Sequence, residues 1–224
     1  MKPEEILRRV DHTLLSPQAG WEEIAALCDE AIRYRTASVC IPPSYVARVR
    51  EAYPALTVCT VIGFPNGYST AAVKAFEAED AVRCGADEID MVVNLGWVKD
   101  GLYDRVLQEI REVRRACAGR VLKVIIETCL LTEEEKIRMC GVVSESGADF
   151  IKTSTGFSTG GATADDIRLM RAHCAPGLQI KAAGGIRSFA DAEEFLALGA
   201  SRLGTSRLVR LMREMEGREQ DAAQ

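Results

Sequence analysis

The chain has 224 residues, 47% of them hydrophobic, with 28 basic and 33 acidic side chains and a formal charge of −5. That length and apolar content suit one sizeable domain, and the mildly acidic balance gives no electrostatic reason to expect nucleic acid or an anionic membrane as a partner. No apolar run reaches the ~18 residues of a membrane span. The first residues, Met1-Lys2-Pro3-Glu4-Glu5, are charged and do not form an apolar signal segment. With eight cysteines and no C-x-x-C pair, the expectation is a reduced, cytoplasmic protein whose thiols pack as small hydrophobes.

Strand-like apolar runs are predicted near Arg9–Thr13, Ala37–Ile41, Thr57–Ile62, Glu88–Asn94, Val121–Glu127, Phe150–Lys152, Gln179–Ala182 and Arg202–Gly204. Amphipathic helical stretches alternate with them, among them Trp21–Tyr34, Thr70–Cys84, Gly101–Cys117, Glu133–Ser146, Ala164–Cys174 and Ala190–Leu198. Gly85-Ala86-Asp87, Gly147-Ala148-Asp149 and Gly199-Ala200-Ser201 each follow a helix and precede a strand, as a left-handed helix stop would. Thr132-x-x-Glu135 reads as a capping box, and Ser188 as the cap of the helix after it. Strict alternation predicts a parallel sheet, either open or closed. Eight evenly sized units with no long excursion favour an α/β fold of the single-domain (β/α)8 barrel type over residues 1–215, with a polar, frayed tail at 216–224. Neither a G-x-G-x-x-G fingerprint nor a P-loop is present.

In a barrel, functional groups gather at the carboxyl ends of the strands. Two strands here end on a lysine before a Gly- or Thr-rich loop, Phe150-Ile151-Lys152-Thr153-Ser154-Thr155-Gly156 and Gln179-Ile180-Lys181-Ala182-Ala183-Gly184-Gly185. A buried strand has no reason to end on an unpaired ammonium, because that charge is costly to bury. Two ammonium groups about 4 Å apart interact by ~4 kcal/mol at an effective dielectric near 20, enough to lower one pKa by about three units. A neutral lysine amine attacks carbonyls, which is Schiff-base chemistry. Taken singly, each lysine is as well read as a side chain snorkelling to the barrel mouth; the pair beside an inward carboxylate is what favours catalysis. Alternation supplies that carboxylate: Asp90, Val92 and Asn94 share one face of their strand, the apolar Ile89, Met91 and Val93 the other.

Ala183-Gly184-Gly185 and Gly204-Thr205-Ser206 follow the seventh and eighth strands, where barrels often hold a phosphate on backbone N–H groups and a helix N-terminus. Simple turns are the alternative. The two histidines, His12 and His173, give no metal cluster. Cys40 ends a strand and reads as a structural thiol. Lys123 and Glu127 share a strand face, and an ion pair there is as good a reading as a catalytic role.

The blocks Glu88-Ile89-Asp90-Met91-Val92-Val93-Asn94, Lys123-Val124-Ile125-Ile126-Glu127-Thr128, Asp149-Phe150-Ile151-Lys152-Thr153-Ser154-Thr155-Gly156 and Lys181-Ala182-Ala183-Gly184-Gly185-Ile186-Arg187 resemble the deoxyribose-phosphate aldolases. The similarity runs from Val10-Asp11-His12-Thr13 to Leu203-Gly204-Thr205-Ser206. The resemblance implies a class I aldolase that needs neither metal nor cofactor, acts on a small phosphorylated sugar and aldehydes, and forms a homodimer. It implies that Lys152 carries the Schiff base, that Lys181 lowers its pKa and that Asp90 moves protons. Asp11 would lie near the substrate hydroxyls and the second lysine, and Thr155, Gly184, Gly185, Gly204, Thr205 and Ser206 would bind substrate or phosphate. The chain departs from the pattern in three places. Its last tyrosine is Tyr103, so no C-terminal tyrosine assists proton transfer; Phe157 stands where some relatives have a lysine; and Arg207 follows Thr205-Ser206 in place of a small residue. Arg207 is therefore expected to supply part of the phosphate charge. The competing readings are another Schiff-base barrel with a ketone donor, such as a transaldolase, and a catalytically silent barrel that senses sugar phosphates.

Overall fold

The alternation of apolar strands with amphipathic helices closes on itself. The computed structural model describes residues 1–117 and 119–222. In chain order it contains α1 (Pro3–Leu7), β1 (Val10–Thr13), α2 (Trp21–Tyr34), β2 (Ser38–Ile41), α3 (Val46–Ala52), β3 (Val58–Ile62), α4 (Ala71–Arg83), β4 (Glu88–Val92), α5 (Leu95–Lys99), α6 (Tyr103–Ala116), β5 (Val121–Ile125), α7 (Glu133–Glu145), β6 (Phe150–Lys152), α8 (Ala164–His173), β7 (Gln179–Ala183), α9 (Phe189–Ala197), β8 (Arg202–Thr205) and α10 (Arg207–Ala222). Each strand pairs in parallel with its sequence neighbours, and β8 pairs with β1, so the sheet is a closed eight-stranded barrel. The open-sheet alternative falls.

The core lies mostly between barrel and helices. Outward strand residues such as Val39, Ile89, Met91, Val124, Ile151, Ile180 and Leu203 are buried against the apolar helix stripes. Trp21 and Trp97 pack against this shell, as expected of them. The local stop and start signals hold. Gly85, Gly147 and Gly199 all have positive φ, Thr132 and Ser188 form capping boxes, and all eight cysteines are free. None of the described helices is long and apolar enough to cross a membrane.

Three boundaries differ from expectation. β4 stops at Val92, and Asn94 leaves the strand to cap α5, its Oδ1 accepting from Trp97 N at 3.2 Å. β5 stops at Ile125, and Glu127 adopts a left-handed backbone with φ of 52°. The tail expected from residue 216 begins inside a helix, because α10 runs to Ala222, and the Glu216 carboxylate accepts from Arg33 and Tyr34. Polar composition alone hid that helix, whose docking depends on partners 182 and 183 residues away in sequence; residues 223 and 224 lie outside the described residues. The short helices α1, α3 and α5 carry too few turns to leave a periodic signal.

Candidate active site

Parallel pairing lines up the inward residues of neighbouring strands. Asp90 is registered with Lys123, Lys152 with Lys181, and Lys181 with Arg202. The barrel interior is therefore ionic rather than apolar. Asp90 is its hub. Its Oδ2 accepts from Lys152 Nζ and from Lys181 Nζ, both at 2.7 Å, and its Oδ1 accepts from Lys123 Nζ at 2.8 Å. The two strand-end lysines thus meet on one oxygen atom, as their position at the ends of adjacent strands suggested. Asp11 accepts from Lys181 on one oxygen and from Ser38 Oγ (2.8 Å) and Arg202 Nη1 (2.5 Å) on the other. Glu88 takes Lys123 Nζ at 2.6 Å and Arg202 Nη1 at 3.0 Å.

Charges buried this deeply persist only because they are paired. Burial alone would raise the Asp90 and Asp11 pKa values, but the surrounding cations hold both carboxyls well below the usual range: Lys123, Lys152 and Lys181 around Asp90, and Lys181, Lys123 and Arg202 around Asp11. Burial alone would lower Lys181, yet Asp11 and Asp90 outweigh it and hold its ammonium above its ordinary value. Lys123 behaves alike, raised chiefly by Asp90. Lys181 is consequently a standing cation beside Lys152. Thiols share this interior. Cys59 Sγ lies 3.2 Å from Asp90 Oδ1, and the donor atoms of Cys40, Cys59 and Asp90, and of Asp11, Cys59 and Glu88, come within 4.8 Å of one another. Such groups resemble metal ligand sets, but ammonium and guanidinium groups already bind the same carboxylates.

Above this layer a cavity of about 380 Å³ opens at the carboxyl ends of the strands. Its lining includes Lys152, Thr155, Gly184, Gly185, Gly204, Thr205 and Ser206, together with Thr13–Ser16 of the first loop and Phe157. Gly184 and Gly185 both have positive φ, which turns the chain sharply at the cavity wall. α10 starts one residue beyond Ser206, with Arg207 N donating to Thr205 Oγ1 at 3.0 Å. The positive end of this helix therefore adjoins the cavity. Phe157 is half-exposed and meets Phe64 edge-to-face at 5.3 Å, so an aromatic pair stands at the cavity wall. A groove of about 460 Å³ beside Tyr103 and Arg138 is larger, but none of the interior lysines reaches it.

Two expected residues lie elsewhere. Asp11 is fully buried beneath the cavity and outside its lining; it touches Lys181, as expected, but not the space for substrate hydroxyls. Arg207 also falls outside the lining, and its Nε donates to the Arg187 carbonyl at 3.0 Å. The Lys123–Glu127 pair does not form. Because β5 ends before Glu127, alternation no longer puts the two on one face; Lys123 turns to Asp90 and Glu88. Glu127 instead accepts from Thr155 N at 3.1 Å and from Thr155 Oγ1, and so holds the loop after β6.

Sequence reasoning passed over Glu88, Arg202 and Gly161. The first two were detectable: Glu88 precedes Asp90 by two residues and Arg202 precedes Gly204 by two, so each faces inward by parity. Gly161 carried no local signal. A Cβ there would lie 2.4 Å from Gly184 C and 2.7 Å from Gly185 N, so the loop after β6 packs backbone to backbone against the loop after β7.

A family model of the DeoC/LacD family aldolases matches residues 6–201. The chain belongs to the DeoC/LacD aldolase family. It is similar to the deoxyribose-phosphate aldolase of Streptococcus agalactiae, at 57% identity over 220 residues that cover 98% of this chain and 99% of that one. The deoxyribose-phosphate aldolase of Streptococcus pyogenes is 58% identical over 214 residues, 95% of this chain and 96% of the relative. Among solved structures, the tetrameric deoxyribose phosphate aldolase of Aeropyrum pernix superposes with a TM-score of 0.88 at 32% identity, covering 96% of this chain and 92% of that one.

Proposed function

We propose that this chain is a class I aldolase that reversibly cleaves 2-deoxy-D-ribose 5-phosphate to acetaldehyde and D-glyceraldehyde 3-phosphate. One observation carries the assignment of the nucleophile. Lys152 belongs both to the buried ionic cluster and to the cavity lining, whereas Lys123, Lys181 and Arg202 belong only to the cluster.

In this reading the neutral Lys152 amine adds to C1 of the open-chain aldehyde, and its proton leaves by way of Asp90. The carbinolamine loses water and becomes a protonated imine. The C3 hydroxyl then gives its proton to a base, the C2–C3 electron pair moves into the imine, and glyceraldehyde 3-phosphate departs. The remaining enamine is protonated at C2 and hydrolysed, which frees acetaldehyde and Lys152. Asp90 and a water carry the proton transfers. Thr155, the N–H groups about Gly184, Gly185, Gly204, Thr205 and Ser206, and the start of α10 hold the phosphate, and this anchors C1 near Lys152. Arg207 belongs at the edge of that anchor, with its Nε engaged by Arg187.

The experiment is reduction by borohydride in the presence of acetaldehyde, followed by peptide mapping. An ethyl adduct on Lys152 is expected. An adduct on another lysine reassigns the nucleophile, and no adduct under turnover conditions removes the Schiff base.

Gly161→Ala tests the phosphate anchor. The new methyl meets backbone atoms that cannot rotate away, so the two loops separate, at about 1–3 kcal/mol in stability as overpacking commonly costs. Losing one charge-assisted hydrogen bond to phosphate, about 1.5–3 kcal/mol, raises KM for the phosphorylated substrate by roughly tenfold or more. Acetaldehyde trapping on Lys152 stays close to normal. Steady-state kinetics that show kcat falling with KM unchanged contradict this placement.

A further inference from the structure

Traced from atom to atom, the interior ion pairs form a closed circuit. Asp90 pairs with Lys123 (2.8 Å), Lys123 with Glu88 (2.6 Å), Glu88 with Arg202 (3.0 Å), Arg202 with Asp11 (2.5 Å), Asp11 with Lys181, and Lys181 with Asp90 again (2.7 Å). Lys123 also lies 3.6 Å from Asp11 across the ring. Three carboxylates alternate with three cations, so the ring is neutral. Lys152 hangs from it through Asp90 Oδ2 and, with the thiols of Cys40 and Cys59 counted as protonated, is the one charged member left over. A proton on Lys152 is thus the only net charge of the cluster, whose members are buried apart from Arg202, 17% exposed at the far side of the ring, while Lys152 meets the cavity.

We propose that Glu88 and Arg202, on the side of the ring away from the cavity, are positioning residues whose charges govern how readily Lys152 gives up its proton. The inference rests on Lys152 being the Schiff-base lysine. Both residues are too far down the barrel to touch substrate, since neither lines the cavity. They act through the field across the barrel interior, where a unit charge roughly 10 Å away shifts a titration by about one pH unit at an effective dielectric near 20. The groups that share the interior with Lys152 are Asp11 from β1, Cys40 from β2, Cys59 from β3, Glu88 and Asp90 from β4, Lys123 from β5, Lys181 from β7 and Arg202 from β8. Glu127, beyond β5, is engaged with Thr155. The balance counts both thiols as protonated; burial pushes the Cys59 thiol well up, whereas a hydrogen bond from Cys59 pulls Cys40 down.

A structural role cannot shift a titration in opposite directions, and this proposal requires that. Glu88→Gln leaves the ring with one positive charge, so protonated Lys152 is disfavoured and the acid limb of activity moves to lower pH. Arg202→Met leaves it with one negative charge and moves the limb to higher pH. The test is the rate of adduct formation with acetaldehyde and cyanoborohydride as a function of pH, on the full chain. Shifts of about one pH unit of opposite sign are expected, with Arg202→Lys close to the parent. Limbs that stay in place, or that move the same way in both variants, overturn the proposal. If Arg202→Met does not fold, the isosteric Glu88→Gln decides by itself: a downward limb supports the ring, and an unmoved or upward one overturns it. Cys40→Ala is expected to leave the limb in place; a shift puts a thiolate in the count and overturns the balance. Peptide mapping of the parent adduct separates the two levels, since an unlabelled Lys152 refutes its role as the nucleophile, whereas a labelled Lys152 with unmoved limbs refutes only the ring.

Discussion

Lys152→Met is expected to lower kcat by roughly 10⁴-fold or more, the scale on which loss of a covalent nucleophile acts, while leaving the protein at least as stable as before. The first half follows from chemistry: methionine has no amine, and neither Lys123 nor Lys181 lines the cavity to take its place. The second half follows from the charge count. Removing Lys152 takes away the one cation in excess over the neutral ring. Asp90 still holds Lys123 and Lys181, so no partner is left with an unpaired charge, and the methionine chain fills a similar volume. Phosphate affinity survives, because the loops after β7 and β8 are untouched. Turnover assays, thermal melts and inorganic phosphate binding together check the outcome. A large drop in melting temperature would place Lys152 among the structural cations and away from the role proposed for it.

Asp90→Asn is expected to fail in both respects. Asparagine keeps the shape but removes the charge that three ammonium groups share. Proton transfer through this position is lost, worth about 10²–10⁴ in rate. The ring then carries net positive charge in a largely buried interior. Breaking a buried ion pair by removing one partner costs about 3–5 kcal/mol, and here one carboxylate serves three partners. The pH dependence has a definite sign. In the variant the buried lysines bind their protons less tightly when folded than when unfolded, so the unfolded state holds more protons and stability rises with pH. In the parent, Lys123 and Lys181 are raised above their ordinary values, so the stability they contribute is present at neutral pH and is lost only as pH climbs through those elevated values. Urea melts at neutral and at alkaline pH distinguish the two. A variant that melts like the parent at every pH would mean that Asp90 bears little of the ring.

Much of this architecture could be read from the chain. The eight apolar runs, the helix caps at Thr132 and Ser188 and the glycine stops at Gly85, Gly147 and Gly199 are local devices, legible because each depends on residues within a few positions. The two lysines stood out because a strand seldom ends on a charge without a reason. The reading failed where a contact joins distant segments. Glu127 reads as a continuation of β5 because nothing in Lys123–Glu127 announces the left-handed turn. The position of Arg207 after Ser206 says nothing of the contact of its Nε with the carbonyl of Arg187, twenty residues away. Asp11 lies one layer below the site because its strand carries it inward before the loops open.

Periodicity and local sterics act over short stretches of chain, and they suffice for the alternation, the inward parity of Asp90 and the two lysines one unit apart. Only the tertiary structure decided that six charges from β1, β4, β5, β7 and β8 close into a neutral ring. Pairing on that scale depends on barrel closure and strand register, which are global properties, and those alone leave Lys152 as the charge in excess.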